Sequence, residues 1–316
     1  MHCELVVPGL FRAPPQARLP SIELLLARGR GAAAEPQSLE GWLGEAFGLG
    51  DEPLAAGALT LIAGGGDPGE DCWARADPVH LRVMRDHAIM VPGAALSLSG
   101  EDAQALCEAL NRHFAGRLAL RSAGAQRWIA RLEEAFEVQD IATLEAAGRE
   151  IDIGAQSTRA AALVNEAQML LHAHPVNEAR EARGEPQVNS IWLWGAGRAP
   201  RAAQGRWRSV TADDPVALGL ARLAGAHAQT LPAGLAAWLE HAPHEGRHLV
   251  VLDGLRYAQQ AEALERDWFA PLAAALRAGR VGMLTLHVPD SAAAFETVRG
   301  DLRRFWRRPK ALERYA

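Results

Sequence analysis

Short apolar runs alternate with longer stretches of helical periodicity along most of the chain. The runs are hydrophobic almost throughout rather than at every second position, which is typical of strands covered on both faces. We therefore predict strands at 4–7, 59–63, 87–91, 128–132, 190–194, 208–211, 248–252 and 282–287.

Helical periodicity fills most of the intervals between these runs. Ser99 and Pro215 mark two helix starts, because serine caps a first turn and proline fits its first position. The predicted helices lie at 21–28, 101–114, 158–171, 214–224, 259–277 and 291–306, with loops at 30–36 and 64–70. This alternation predicts an α/β fold with a mostly parallel, helix-covered sheet.

Composition narrows the classes of partner. The chain has 316 residues, with 33 Lys and Arg against 38 Asp and Glu and a net charge of −5. This acidic balance disfavours nucleic acid as a partner. No apolar run is long enough for a membrane-spanning helix, so no membrane partner is expected. The three cysteines are too few for a disulfide scaffold and the N-terminus lacks the features of a signal peptide, which favours a cytoplasmic protein.

The segment 174–197 is the most distinctive part of the chain. Asn177 and Arg180 lie three positions apart, hence on one face of a predicted helix, and Arg180 could hold a phosphate or a carboxylate. A strand then runs to Gly195 and Gly197, where small residues let a backbone approach a ligand closely. The alternative is structural, with Trp194 buried in the core and Asn189 capping a turn.

This segment resembles the archaeal-type cofactor-independent phosphoglycerate mutases of the alkaline phosphatase superfamily. The resemblance is carried by Asn177, Arg180, Gly184, Asn189, 191–195 and Gly197, with Pro186 displaced by one position, and continues at 210–212 and 218–221. It implies an alkaline-phosphatase-like α/β core formed by 1–77 and 161–316, with a smaller subdomain inserted at 78–160.

The chain departs from that family where the metals would bind. The family's mutases hold two divalent metals with Asp and His ligands and use a serine that becomes phosphorylated. Pro8 stands where the first Asp ligand is expected, Asp253 remains without the family's histidine, and His287 lies near the family's closing D-H-S. Two clustered metals need several carboxylates and imidazoles. We therefore expect no metal and no cofactor.

A narrower resemblance concerns the E-type regulatory proteins of proteobacterial pathogenicity-factor clusters. It is carried by 77–81, 165–170 and 303–306, and it implies a cytoplasmic regulatory protein. Together the two resemblances predict a metal-free, non-catalytic, phosphoglycerate-mutase-like protein that binds a phosphorylated or carboxylate small molecule. The expected ligand-binding residues are Asp77, His80, Asn177, Arg180, Asn189, Trp194, Gly195 and Gly197.

Two other function classes stay open. A divergent metal-dependent mutase or phosphatase could hold Mn or Zn with ligands drawn from Asp67, Asp71, Asp77, His80, Asp253 and His287. A protein-interaction module could instead use the run 303–308, in which arginines flank Phe305 and Trp306. The alternative for that run is an amphipathic last helix with both aromatic side chains packed inward.

Three further patterns favour structural readings. The run 244–248 fits the H-E-x-x-H pattern, but a proline before it and a glycine within it predict a loop rather than a zinc-binding helix. Asp77 followed by Pro78 is typical of a helix start, as an alternative to a polar pair with His80 in a cleft. Ser21 is interpreted as a local helix cap.

Overall fold

The computed structural model describes residues 1–12, 18–33, 35–50, 53–83, 88–133, 158–241, 245–253 and 261–315, together with 138, 142, 146 and 150–151. The chain forms two compact units, Met1–Asp51 with Ala202–Ala316 and, between them in sequence, Glu52–Arg201. These boundaries differ from the predicted ones at 77/78 and 160/161. The reason is that the strand Cys72–Val83 pairs with the strand Ser190–Gly197, which keeps both in the second unit.

The described strands and helices are numbered in chain order. The strands are β1 (His2–Val6), β2 (Arg30–Ala33), β3 (Cys72–Val83), β4 (Ala88–Pro92), β5 (Leu118–Ser122), β6 (Trp128–Leu132), β7 (Glu150–Ile151), β8 (Ser190–Gly197), β9 (Ser209–Thr211), β10 (His227–Gln229), β11 (Arg247–Val251), β12 (Met283–Val288) and β13 (Ala293–Val298). The helices are α1 (Pro20–Arg28), α2 (Leu39–Ala46), α3 (Ala56–Ala63), α4 (Gly100–His113), α5 (Thr158–His172), α6 (Pro175–Ala182), α7 (Pro215–Leu223), α8 (Leu235–His241), α9 (Ala261–Leu264) and α10 (Ala270–Ala278).

The first unit contains a seven-stranded sheet in the order β10-β9-β11-β1-β12-β13-β2. The first five strands of this order, from β10 to β12, pair in parallel. β13 pairs antiparallel with both β12 and β2. One face packs on α1, α8 and α10 through buried side chains such as Leu5, Val250, Trp238 and Phe269. The α/β class is confirmed, and this unit holds the predicted parallel sheet.

The second unit is built around β3. A six-stranded antiparallel sheet has the order β5-β6-β3-β4-β7, with β8 paired to β3 outside that path. β3 pairs with β6, β8 and β4 in turn, and α4 and α5 cover the sheet with a core that includes Leu106, Phe114, Trp128 and Leu163. This antiparallel sheet was not predicted from the sequence.

Several predicted elements are confirmed at their sites. The side chain of Ser99 accepts from the Asp102 N–H at 3.0 Å at the start of α4, and that of Asp214 accepts from the Ala217 N–H at 2.8 Å at the start of α7. The predicted loop at 64–70 is a loop. None of the described helices is long and apolar enough to cross a membrane.

Three element predictions are wrong. Residues 59–63 belong to helix α3, because a short apolar run fits a buried helix as well as a strand. The predicted last helix at 291–306 is strand β13 followed by a 3₁₀ turn at Arg299–Arg303. The start of the predicted loop at 30–36 is strand β2, which gains its hydrogen bonds from β13.

Helix α3 lies so close to β3 that only glycine fits at position 57. A Cβ added at Gly57 would overlap with the backbone of Ala74, whereas one added at Gly100 would meet nothing within 4 Å. We expect Gly57→Ala to lower the free energy of unfolding by about 3 kcal/mol, as overpacking does. Gly100→Ala is the matched control, with an expected change below about 1 kcal/mol and of stabilising sign. Urea unfolding followed by circular dichroism measures both, and equal midpoints would contradict the close approach.

Candidate functional site

Asn177 and Arg180 lie on α6, as predicted, and both are fully buried. The Asn177 amide donates to the carbonyls of Leu171 and Val188, each at 2.8 Å, and accepts from the Val188 N–H at 2.8 Å. Its polar atoms therefore bind the backbone on both sides of α6.

The guanidinium of Arg180 also binds groups in the connection between α6 and β8. It donates through Nε to the Pro186 carbonyl at 2.9 Å and through Nη2 to the Leu96 carbonyl, and Nη1 lies 3.3 Å from a carboxylate oxygen of Glu185. Arg180 thus fixes the turn between α6 and β8 and joins it to the segment before α4. In this structure the fork of donors is directed at protein groups.

Asn189 and His80 extend the pairing of β3 with β8. The Asn189 side chain accepts from the Leu81 N–H at 2.7 Å and donates to the Leu81 carbonyl at 2.9 Å, which imitates a strand partner. His80 Nδ1 lies 2.9 Å from the Gln187 carbonyl oxygen. These contacts bring the two predicted site residues to neighbouring positions along the same strand pair.

The two glycines at the end of β8 approach the chain's own helix α3. Gly195 has a φ of +55°, and a Cβ there would lie 2.6 Å from the Cβ of Ala56. A Cβ at Gly197 would lie 3.0 Å from the Cβ of Ala55. The small residues therefore allow a close approach, as predicted, and what approaches in this structure is the N-terminal end of α3.

Asp77 lies in the middle of β3, so the predicted helix start at Asp77 and Pro78 is wrong. Its carboxylate accepts from Arg75 Nη2 at 2.6 Å and from the indole Nε1 of Trp194 at 2.9 Å. The Arg75 guanidinium lies over the Trp194 ring, 5.2 Å from its centroid. Arg75 and Asp77 are about 5% and 3% exposed, so this ion pair is desolvated and both charges depend on each other.

The eight predicted ligand-binding residues therefore lie in or beside one strand pair. Asp77 contacts Trp194, and His80 lies next to Asn189 along β3 and β8. Asn177 and Arg180 hold the connection that leads into β8. Their joint role in ligand binding stays a prediction, and the contacts present here are those of a folded core.

The described residues that directly follow β1 in the chain offer no metal-binding side chain. The strand ends at Val6 and is followed by Val7, Pro8 and Gly9. The Gly9 N–H donates to the Asp290 carboxylate at 2.8 Å, and the other oxygen of Asp290 lies 3.2 Å from Nε of Arg12. A guanidinium thus already accompanies the carboxylate at this edge, so these residues do not fit the two-metal centre of the resembled mutases.

The alternative metal ligands have other contacts. Asp67 accepts from the Gly69 N–H at 2.9 Å, and Asp71 lies 3.5 Å from Arg131. His287 lies 3.6 Å from the carboxylate of Glu4, and Asp253 also has an interaction partner. Across the described part of the chain, no three His, Cys, Asp or Glu side chains group as a metal site.

Two other patterns turn out to be structural. β11 begins at Arg247, within the H-E-x-x-H run whose His244 lies outside the described residues. His248 therefore lies in a strand and not on a helix. It is fully buried, and its Nδ1 lies 2.8 Å from Ser209 Oγ. Ser21 lies inside the first turn of α1, where its N–H donates to Glu265 at 2.8 Å, so the predicted side-chain cap is wrong.

A buried carboxylate on β1 is a feature that sequence reasoning missed. Glu4 is about 1% exposed, and its carboxylate accepts from Arg206 at 2.8 Å and lies 3.6 Å from both Arg247 and His287. Burial raises the pKa of Glu4, but His287 and Arg206 outweigh that effect and hold the pKa at about 2. The signal for it was the alternation of His2 and Glu4 with apolar residues in the first strand.

A cleft of about 350 Å³ opens where β3 begins and β6 and β8 end. It is lined by Cys72, Leu132 and Gly197 and by charged residues of both signs, Glu70, Asp71, Glu133 and Arg198. Gly197 is the one predicted ligand-binding residue that lines it. Burial raises the pKa of the Cys72 thiol, against the influence of Arg198, so this thiol is a weaker nucleophile than an exposed cysteine.

Comparison with known proteins gives weak similarity to one group. No protein-family model matches the chain. A probable 2,3-bisphosphoglycerate-independent phosphoglycerate mutase of Geobacter sulfurreducens is 44% identical over 50 residues, 16% of this chain and 12% of that protein. The 2,3-bisphosphoglycerate-independent phosphoglycerate mutase of Methanosarcina mazei is 23% identical over 206 residues, 58% of this chain and 50% of that protein. The chain thus has weak homology to cofactor-independent phosphoglycerate mutases and spans half or less of these relatives.

Solved structures give a likeness of fold. A protein of Pyrococcus horikoshii matches with a TM-score of 0.55 at 15% identity, over 94% of this chain and 87% of that one. This value indicates a shared α/β fold. The cofactor-independent phosphoglycerate mutase of Thermoplasma acidophilum matches over 94% of this chain and 90% of that one at 18% identity, with a TM-score of 0.41, which is too low to assign a common fold.

The Arg75–Asp77 pair gives a stability prediction. Asp77→Ala leaves a buried guanidinium without its counter-charge, so we expect the free energy of unfolding to fall by about 3 kcal/mol or more. Adding Arg75→Met should restore part of that loss, because the uncompensated charge is then removed. Asp71→Ala, which breaks an exposed pair in the same unit, is the control and should change stability by less than about 1 kcal/mol. Additive effects in urea unfolding would show that the pair is not coupled.

Glu4 gives a prediction of pH dependence. Its pKa is about 2 in the folded chain against 4.5 for an ordinary glutamate, so its ionised form stabilises the fold above about pH 4.5. That contribution is lost as the pH falls towards about 2. We expect Glu4→Gln to lower the free energy of unfolding at neutral pH. Below about pH 4 the difference in free energy of unfolding between the variant and the wild type should become smaller. Urea midpoints across this range measure the effect, with exposed Glu262→Gln as the control; parallel curves for wild type and Glu4→Gln would contradict it.

Proposed function

We propose that this chain is a phosphoglycerate-mutase-like protein that acts by binding or regulation, without the two-metal mutase reaction. The observation that carries the proposal is the end of β1. Pro8 offers no ligand there, and the nearby carboxylate of Asp290 is engaged by the Gly9 N–H and Arg12. A permanent cation on that carboxylate opposes the approach of a divalent metal, because like charges repel at such distances.

The contacts of the 174–197 segment support the same proposal. Asn177, Arg180 and Asn189 carry the resemblance to the mutases, and all three bind backbone groups of this chain. A resemblance carried by such residues accounts for a shared fold without requiring a shared reaction. The likeness to E-type regulatory proteins suggests a cytoplasmic regulator in a bacterium, and the ligand is proposed to be a phosphorylated or carboxylate small molecule.

A second candidate function is a divergent mutase or phosphatase. Both curated relatives are named phosphoglycerate mutases, and the M. mazei match extends over 58% of this chain. In that case Mn or Zn would be held by ligands drawn from Asp67, Asp71, Asp77, His80, Asp253 and His287. An enzyme of this kind would isomerise or hydrolyse a phosphorylated substrate.

An enolase-coupled assay on 3-phosphoglycerate distinguishes the two candidates. The full chain is purified from a host without its own mutases and assayed with Mn²⁺ and after chelation. We expect no turnover above the protein-free background in either condition and no metal retained after gel filtration, because the end of β1 lacks a ligand. The M. mazei mutase, assayed alongside, is the positive control. Turnover that chelation abolishes would overturn the proposal in favour of the enzyme.

A third function class, protein interaction through 303–308, has one observation in its favour. Phe305 and Trp306 are exposed rather than packed inward, so the predicted amphipathic helix with buried aromatic side chains is wrong.

A further inference from the structure

The chain presents two large aromatic side chains to solvent side by side. Phe305 is 77% exposed and Trp306 is 67% exposed, whereas most large apolar side chains of the described residues are buried. Their rings pack edge to face with centroids 5.3 Å apart. We call residues 303–308 the C-terminal basic turn. Exposing two such rings to water is unfavourable, so binding to a surface that covers them would be favoured.

Arginine side chains attach this turn to the end of α1. Arg304 donates to the Arg28 carbonyl at 3.1 Å and pairs with Asp301 at 2.8 Å. Arg307 donates to the Gly29 carbonyl at 2.7 Å. These bonds satisfy carbonyls at the end of α1 and fix the backbone on either side of the two rings. The backbone that carries the two rings is therefore attached to the folded unit, so binding would not have to order this part of the chain first.

The turn is also a concentration of positive charge in an acidic protein. Residues 299–314 contain seven Arg and Lys and two acidic residues, while the whole chain has a net charge of −5. One of the two acids, Asp301, is paired with Arg304. Arg303, Arg308 and Lys310 are exposed beside the rings. This segregation of charge would orient the molecule with the turn towards a negative surface.

We propose that the C-terminal basic turn binds the surface of an anionic phospholipid membrane. Phe305 and Trp306 would enter the interfacial layer, where aromatic rings are favoured, and Arg303, Arg308 and Lys310 would contact lipid phosphates with their long side chains. Such a contact lies on the membrane and needs no spanning helix, so it replaces the expectation of no membrane partner, which considered spanning helices alone.

The geometry of the rings favours a membrane over single-stranded nucleic acid. Stacked recognition of bases needs an open ring face for each base. Here the edge of one aromatic ring covers part of the face of the other, which leaves no gap for a base between them. Binding to an interfacial lipid layer does not require a gap of that kind between the rings.

Vesicle co-sedimentation of the full-length protein tests the proposal. We expect binding to phosphatidylcholine vesicles that contain phosphatidylserine and little binding to vesicles of phosphatidylcholine alone. Binding should be weaker at high salt, because salt screens the electrostatic attraction. Arg303→Gln with Arg308→Gln should weaken binding roughly thirty-fold, from the loss of two charges near the surface. Phe305→Ser with Trp306→Ser should weaken it by about ten-fold or more.

Matched variants test whether the loss of binding is specific to the C-terminal basic turn or follows from losing any exposed apolar or positively charged side chain. Met169→Ser removes an equally exposed apolar side chain (70%) outside the turn and should leave binding unchanged, as should Arg201→Gln with Arg222→Gln. Circular dichroism checks that each variant folds. No binding to anionic vesicles, or equal binding by the Phe305 and Trp306 double variant, would overturn the proposal. Binding of labelled single-stranded RNA, lost in that double variant while vesicles are not bound, would overturn it in favour of nucleic acid.

Discussion

A polar side chain that is buried away from water must find its hydrogen-bond partners inside the protein, and this constraint governs the segment from α6 to β8. Asn177 and Arg180 are fully buried, and between them they satisfy the carbonyls of Leu171, Val188, Pro186 and Leu96. Those carbonyls lie at chain reversals, where no regular strand or helix supplies a donor. Replacing either side chain would leave several backbone groups unpaired at once. The segment therefore specifies how β8 reaches β3, which in turn organises the antiparallel sheet.

Arginine side chains offset the charge of carboxylates at several places in this chain. Arg75 neutralises buried Asp77, Arg206 accompanies buried Glu4, and Arg12 accompanies Asp290 at the end of β1. A guanidinium and a divalent metal are alternative ways to offset a carboxylate, but only the metal also activates water or polarises a substrate. A carboxylate paired with arginine can thus keep its structural role while metal chemistry at that position is lost. The proposed function rests on this difference between a guanidinium and a metal.

The sequence predicted the parallel sheet of the first unit, the cap at Ser99 and the helix start at Pro215, because these depend on local periodicity and local backbone geometry. It predicted neither the antiparallel sheet nor the position of Asp77, because both depend on β3 pairing with strands far away in sequence. The apolar run at 59–63 was read as a strand, since periodicity cannot distinguish a short buried strand from a buried helix. For the candidate site, the sequence identified residues that matter to the structure, but it could not say whether their polar atoms face a ligand or the backbone. That difference depends on where Leu171, Val188 and Leu81 come to lie.

The C-terminal run shows how tertiary pairing overrides a helical pattern. Residues 291–306 have helical periodicity, but β13 pairs with β12 on one side and with β2 on the other, which satisfies its backbone groups without a helix. The chain that leaves β13 then has to turn beside α1, and Arg304 and Arg307 stabilise that turn by donating to carbonyls at the end of α1. Phe305 and Trp306 lie between these two arginines in the chain, and both rings are exposed. The two rings are therefore carried by the turn that follows the paired strand β13, and not by a last helix.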